Sequence, residues 1–326
     1  MKTVDINQAR ELLIKGDVVA IPTETVYGLA AWIYSEAGLR KIFSTKERPF
    51  FDPLIVHIDS IEKAKSLTSN WTVVHEILAK SCWPGPLTLI AKKENSVNSL
   101  ITSGLDSVGL RCPKHELTLK LLSTIEGGLA APSANKFGKT SPTSAQHVFE
   151  EFGNAVAILD GGACDIGIES TVAGVEEDSE GWKILIYRPG FYTAQNLEKI
   201  LSDQRIHARV VYAESPVAPG QLKHHYMPNI PLLITPPNVE WTTLKPMIEE
   251  KLKKSFNRPA FWNLSPDPSL ASRELYQNLR KFSQDGHDLI LIQRNPLHAT
   301  EDWKGIWNRL NKAKTLEISD SFDWLE

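Results

Sequence analysis

Between residues 18 and 190 the chain repeats one device, a short apolar run rich in β-branched residues that ends in a turn or gives way to helical spacing. VVAI (18–21), PLIVHI (53–58), LTLIAKK (87–93), SVGLR (107–111), GGLAAP (127–132), AVAILDGG (155–162), ESTVAGV (169–175) and WKILIYRPG (182–190) each read as a strand. Helical spacing runs from Asn7, the expected N-cap, to a stop at Gly16. It returns in SEAGLRKIFSTK and in WTVVHEILAKSCW, which WPGP breaks, and near 116–125, 143–152 and 193–203. Several neighbouring strands are too close in sequence for a helical crossover, which takes a dozen or more residues, so the sheet must be mixed. The class is α/β, with a first domain over residues 1–205.

Residues 206–229 carry neither periodicity, and YAESPVAPGQLKHHYMPNIP reads as an ordered linker. Beyond it, PLLIT, a helix over 241–254, PAFWN, a helix over 268–284, DLILIQ and a helix over 301–312 alternate as in a small parallel, Rossmann-like domain over 230–326. No G-x-G-x-x-G occurs there, so the pattern gives no support to dinucleotide binding.

A net charge of −3 over 326 residues argues against a whole-molecule footprint for nucleic acid, so any polyanion contact must be local. Cys82, Cys112 and Cys164 have neither disulfide-framework nor zinc spacing, which fits a reducing cytoplasm. The first residues lack the apolar core of a signal peptide, and no apolar run reaches the roughly 18 residues of a membrane span.

Five stretches could carry chemistry, and each falls where an open α/β sheet presents ligands. In IPTETVYGLAA, Thr23, Thr25 and Tyr27 offer hydroxyls, although a helix capped by Thr23 or Thr25 explains the pattern equally well. In KERPFFDPLIVHI, Pro49 and Pro53 restrict the backbone around Lys46 and Arg48, so both cations could face one anion; the plain alternative is a solvated pair closing a helix. His57 follows, with a core histidine as its plain reading. Arg111 ends SVGLR, suited either to grip a carboxylate or to form a structural ion pair. GGLAAPSANKFGKTSPTSAQHV sets Ser133, Asn135, Ser141 and Thr143 in a glycine-flanked loop, and Thr143 or Ser144 would cap the next helix. GIESTV and YRPG place Ser170 and Arg188 at the ends of two strands. Walker A, G-x-S-x-G, H-E-x-x-H and triad spacings are all absent. Cations and hydroxyls without an obvious general base suit phosphate chemistry run by positioning and charge neutralisation.

Taken in order, PTETVYGLAA, KERP…PLIVHI, WPGPLTL, SVGLRCP, APSAN…TSPT, IESTV and RPG resemble the threonylcarbamoyl-AMP synthase family, the YrdC-type enzymes. The match spans residues 1–205, and PGQLKHHYMP with the C-terminal domain looks like the long, two-domain form. The resemblance implies a YrdC-like catalytic domain with a twisted mixed sheet and flanking helices. It implies a nucleotidyltransferase that converts L-threonine, bicarbonate and ATP, with Mg²⁺, into threonylcarbamoyl-AMP and pyrophosphate. A separate transferase complex then uses the product on adenosine 37 of tRNA, and weak or indirect tRNA contact is a further expectation.

By the same resemblance, Thr25, His57, Arg111, Ala131 and Ser170 meet threonine. Lys46, Arg48, Asp52, Ser107, Ser133, Asn135, Ser141 and Arg188 face the nucleotide; Lys46, Arg48, Ser133 and Asn135 are the family's catalytic set, and no side chain is assigned to a metal. Asp52 departs from the asparagine common in the family; a carboxylate there would repel ATP or hold Mg²⁺. His225 and Tyr226 match residues of a linker that acts as a lid, over 206–229, against the plain reading of a spacer. Arg48→Ala is expected to abolish activity with little loss of fold. Two competing readings are an RNA-binding module, which the negative charge disfavours, and a carbamoyl-transfer domain, whose zinc-finger or acylphosphatase segments the sequence lacks.

Overall fold

The computed structural model describes residues 1–213, 225–319, 321 and 323–325. They form two compact units, Met1–Phe137 with Ser141–Leu222 and Gly138–Thr140 with Lys223–Glu326.

The first unit is built on one mixed sheet of β1 (Val19–Ile21), β2 (Gly28–Trp32), β3 (Ile55–His57), β4 (Thr68–Asn70), β5 (Leu87–Lys93), β6 (Ser107–Arg111), β7 (Leu129–Ala130), β8 (Ala157–Ile158), β9 (Thr171–Asp178), β10 (Gly181–Arg188) and β11 (Ala208–Tyr212). Its order is β11-β10-β9-β5-β6-β3-β7-β2-β1-β8, with β4 against β5. The pairs β3/β6, β5/β9, β1/β8 and β10/β11 are parallel, whereas β5/β6, β9/β10 and β1/β2 are antiparallel.

Its helices are α1 (Ile6–Ile14), α2 (Glu36–Lys46), α3 (Ile61–Ser66), α4 (Val73–Cys82), α5 (Ser99–Thr102), α6 (Glu116–Ser123), α7 (Ala145–Phe152) and α8 (Ala194–Asp203). Helix α2 buries Leu39, Ile42 and Phe43 with Leu29, Val56 and Leu110, while α4 and α8 bury Val74, Leu78, Leu197 and Leu201 with Leu87, Leu89, Ile184 and Ile186. At roughly 1.5–3 kcal/mol per buried aliphatic side chain, these layers hold the strand ends in place.

Three details differ from the sequence reading. The cap of α1 is Asp5, in a capping box with Gln8, because its carboxylate reaches the Gln8 N–H that Asn7, already helical, cannot serve. ARVVY extends the first sheet as β11 instead of beginning a linker at 206, since its backbone groups find partners along β10. PTET is a turn, not a helix: the Thr23 hydroxyl accepts the N–H groups of Thr25 and Val26, and β2 follows.

The second unit carries β12 (Leu232–Thr235), α9 (Trp241–Leu252), β13 (Pro259–Phe261), α10 (Pro268–Gln284), β14 (Leu289–Gln293), α11 (Lys304–Ala313), β15 (Leu316–Ile318) and β16 (Trp324–Leu325). The order is β13-β14-β12-β15-β16, parallel except for β16. All four residues of β12 are buried, as a strand covered on both faces requires. Strands β15 and β16 were not read from sequence; LEI and WL are too short to show a period.

Candidate functional site

The candidate cations Lys46, Arg111 and Arg188 of the first unit stand where elements end, and Arg48 just past one. Lys46 is the last residue of α2, and Glu47 turns the chain out of the helix at φ 54°. The Lys46 ammonium, 1% exposed, donates to the backbone carbonyls of Ser133 and Asn135, each at 2.5 Å. Its own carbonyl accepts the Phe137 N–H at 2.8 Å, so helix end and loop clasp each other. Burial, and after it Arg48, pulls the Lys46 pKa well below that of a free lysine, against the pull of Asp52, Glu151 and Glu169.

Arg48 organises the turn between the prolines. Its Nε donates to the Asp52 carbonyl at 3.2 Å, its Nη2 to the Pro53 carbonyl at 2.9 Å, and Nη2 lies 2.9 Å from the Asp52 carboxylate. Both side chains are buried. This revises the expectation that Arg48→Ala would spare the fold, since the substitution breaks a buried ion pair and should cost stability as well as activity. The same geometry makes Asp52 the counter-charge of Arg48. Ser107 borders a small cavity with Pro53 and Gly109, next to this turn, whereas Arg111 lies four residues away at the other end of β6, roughly 13 Å along the strand.

At that far end, His57 and Arg111 are opposite each other across β3 and β6. Ala131 is tied in through its N–H to the Ile55 carbonyl at 2.9 Å. Arg111 Nη2 lies 2.7 Å from the Glu24 carboxylate, both side chains about 95% buried, and Arg111 Nε donates to the Gly85 carbonyl at 3.4 Å. Glu24 adjoins Thr25, whose hydroxyl lies 2.8 Å from that of Thr23. Burial and then Arg111 push the His57 pKa down to about 3, so the imidazole is neutral, and its Nδ1 has no hydrogen-bond partner among the described residues.

Ser170 and Arg188 complete the set. Arg188, last in β10, donates through Nε to the Ser170 carbonyl and through Nη2 to its hydroxyl, both at 3.1 Å, and that hydroxyl is 2.8 Å from the Thr88 hydroxyl. The approach needs Gly190, where a Cβ would come 2.4 Å from the Thr171 N. Thr171 N–H donates to the Pro86 carbonyl, beside the Gly85 carbonyl that holds Arg111, which links the two arginines through one turn. Ser141 donates to Glu169 at 2.6 Å, both buried, and Ser144 caps α7.

Sequence reasoning missed Glu24, Glu169 and Thr88. The signal for the two carboxylates was the single acid set among hydroxyls in PTET and IEST, since a buried acid needs a buried cation. The three thiols are free and buried, with pKa values raised by burial to about 11 or 12, which makes them poor nucleophiles. No described helix is long and apolar enough to cross a membrane.

The second unit holds the two proposed lid residues, while 214–224 of the lid lie outside the described residues. His225 and Tyr226 are both buried, with rings edge to face at 4.1 Å; Tyr226 packs 5.6 Å from Tyr276 and under the fully buried Arg309.

Residues 11–190 match the family model of the Sua5, YciO and YrdC proteins, described as telomere recombination. Residues 192–315 match the C-terminal domain of threonylcarbamoyl-AMP synthase. The chain is 38% identical to a threonylcarbamoyl-AMP synthase of Pyrococcus abyssi, over 96% of this chain and 95% of the relative. It is 34% identical to that of Bacillus subtilis, over 94% and 92%. The crystal structure of P. abyssi Sua5 complexed with L-threonine superimposes with a TM-score of 0.81 at 34% identity, over 94% of this chain and 93% of that one. Two domain matches in series, near full-length relatives and a shared fold agree: the chain belongs to the Sua5/YciO/YrdC family, in its long two-domain form.

Proposed function

We propose that this protein is an L-threonylcarbamoyladenylate synthase, a nucleotidyltransferase that makes threonylcarbamoyl-AMP and pyrophosphate from L-threonine, bicarbonate and ATP. Threonine and bicarbonate condense to a carbamate with loss of water. A carbamate oxygen then attacks the α-phosphorus, and the bond to the pyrophosphate leaving group breaks. The product is the activated group for threonylcarbamoylation of adenosine 37 in tRNA by a separate transferase complex. Any direct tRNA contact would be weak.

The observation that carries this reading is Lys46, a buried cation held by two carbonyl dipoles beside Arg48. Carbamate and triphosphate repel each other by about 4 kcal/mol per close pair of unit charges at an effective dielectric near 20. Fixed cations offset that repulsion without reorganising during the reaction. Thr25, His57, Arg111, Ala131 and Ser170 would receive threonine, its carboxylate on Arg111. Lys46, Arg48, Ser107, Ser133, Asn135, Ser141 and Arg188 would line the nucleotide, with Asp52 holding Arg48 in line. Magnesium would arrive on the triphosphate and supply Lewis-acid neutralisation of its oxygens; among the described residues no cluster of acids or histidines would hold the ion by itself.

The test is pyrophosphate release from the purified full chain. Release should require threonine, bicarbonate, ATP and Mg²⁺ together, and release at the same rate without threonine would overturn the assignment.

A further inference from the structure

The C-terminal unit has a cavity of its own. From β12 the chain crosses over β14 to reach β13, and from β14 it crosses over β12 to reach β15. The two crossings run in opposite directions, so right-handed connections put α9 on one face of the sheet and α11 on the other. Leu244 and Ile248 of α9 pack on Leu233, Leu289 and Leu291, while α10 and α11 pack together. The carboxyl ends of the adjacent strands β12 and β14 are therefore where the chain parts to opposite faces. In open α/β sheets ligands bind in the crevice at this switch point.

A cavity of about 400 Å³ opens there. It is lined by Pro237 after β12, by Arg294, Asn295 and His298 after β14, and by Trp307 and Asn311 of α11. That volume suits a small ligand. One wall is aromatic: His298 stacks on Trp303 with ring centroids 3.6 Å apart, and the Trp307 indole donates to the His298 carbonyl at 3.2 Å. His298 is 94% buried, yet its Nδ1 makes no hydrogen bond among the described residues, and burial holds its pKa below that of a free histidine. A buried polar group without a partner is an expense that a ligand could remove. Arg294 pairs with Glu317, which also lines the cavity, while staying 33% exposed, and Lys314 pairs with the same carboxylate, so the three side chains together carry a net positive charge. The carboxylate is thus covered by cations. Asn311 stands exposed at the rim.

We propose that this cavity is a second, separate binding site, for a mononucleotide, with its base on the Trp307–His298 wall and its phosphate at Arg294. A flat hydrogen-bonding ring fits the aromatic wall, and a phosphate suits a guanidinium. All of these lining residues belong to the second unit.

The chain has nine tryptophans, so indole-¹⁵N labelling of the full-length protein gives nine side-chain signals, and Trp307→Phe identifies that of Trp307. AMP is the probe, with adenosine and inorganic phosphate as its two halves. The Trp307 signal should move saturably with AMP, and Asn311→Asp, which sets a carboxylate at the rim, should weaken AMP about tenfold. Either half alone should bind at least tenfold more weakly than AMP. An unmoved Trp307 signal at millimolar AMP, an equal response in Asn311→Asp, or a full response to phosphate alone would each overturn the proposal. Pyrophosphate release, measured on the same samples, reports the catalytic unit independently.

Discussion

Two corners of the first unit hold a buried cation in different ways. At the end of α2, Lys46 donates to two backbone carbonyls and makes no direct ion pair among the described residues, with Asp52, Glu151 and Glu169 acting on it from further off. At the ends of β3 and β6, Arg111 faces the carboxylate of Glu24 and a histidine kept neutral. Dipoles solvate a charge without cancelling it, whereas a carboxylate cancels it. On the proposed function, an incoming polyanion would restore to Lys46 the charge that burial disfavours. The second corner is close to neutral, as suits the proposed task of positioning a small amino acid. Turnover should thus depend most on Lys46, and folding on the two buried ion pairs, Arg111–Glu24 and Arg48–Asp52.

The largest expected effect breaks the first corner. Lys46→Met, which keeps the volume and removes the charge, should cut pyrophosphate release by about a thousandfold or more, as loss of a charge-stabilising donor does. Its Tm should change little, because removing a desolvated ammonium offsets two lost hydrogen bonds. A variant with near-normal turnover would erase the contrast. Glu24→Gln should do the reverse, destabilising the protein by about 3 kcal/mol in urea unfolding by leaving Arg111 buried without its counter-charge. A parental urea midpoint in Glu24→Gln would show that Arg111 does not depend on Glu24.

Histidine 57 sharpens the same comparison through pH. Its folded pKa of about 3 lies below the unfolded value of 6.5, so below pH 6.5 the unfolded chain binds a proton that the folded chain refuses. Stability should fall as pH drops from 6.5 towards 3, by about 2 kcal/mol at pH 5 from this residue. His57→Gln should flatten that slope, and parallel pH profiles for variant and parent would contradict the assignment. Smaller still, Asp52→Asn should raise the KM for ATP a few-fold by releasing the guanidinium that its carboxylate holds in line; a lowered KM would mean the carboxylate acts chiefly as a repelling anion. Lys136→Ala, which breaks an exposed pair with Glu47, should leave both Tm and turnover unchanged.

The strands LTLIAKK and SVGLR and the helix over 268–284 were legible from sequence with their observed bounds, because long periodic or wholly apolar runs leave little choice. β2 was not, since GLAAW follows a threonine-rich turn that imitates a helix start; its strand character comes from pairing with β1 and β7. The cations were legible as residues, and the resemblance grouped them. Their partners were not, because pairing Arg111 with Glu24 or Lys46 with the Ser133 carbonyl joins segments 87 residues apart. Spacing carries no information about such contacts. The linker shows the same limit: its aperiodic sequence gave no hint that Tyr226 packs against Tyr276 and Arg309.

The central claim is that buried cations of the first unit bring two anionic reactants together. A crystal structure of the full chain with L-threonine and a non-hydrolysable ATP analogue tests it most directly. The account predicts the threonine carboxylate on Arg111 near His57, and the α-phosphate within hydrogen-bond reach of the Lys46–Arg48 corner. A nucleotide bound with its phosphates away from both cations would contradict it.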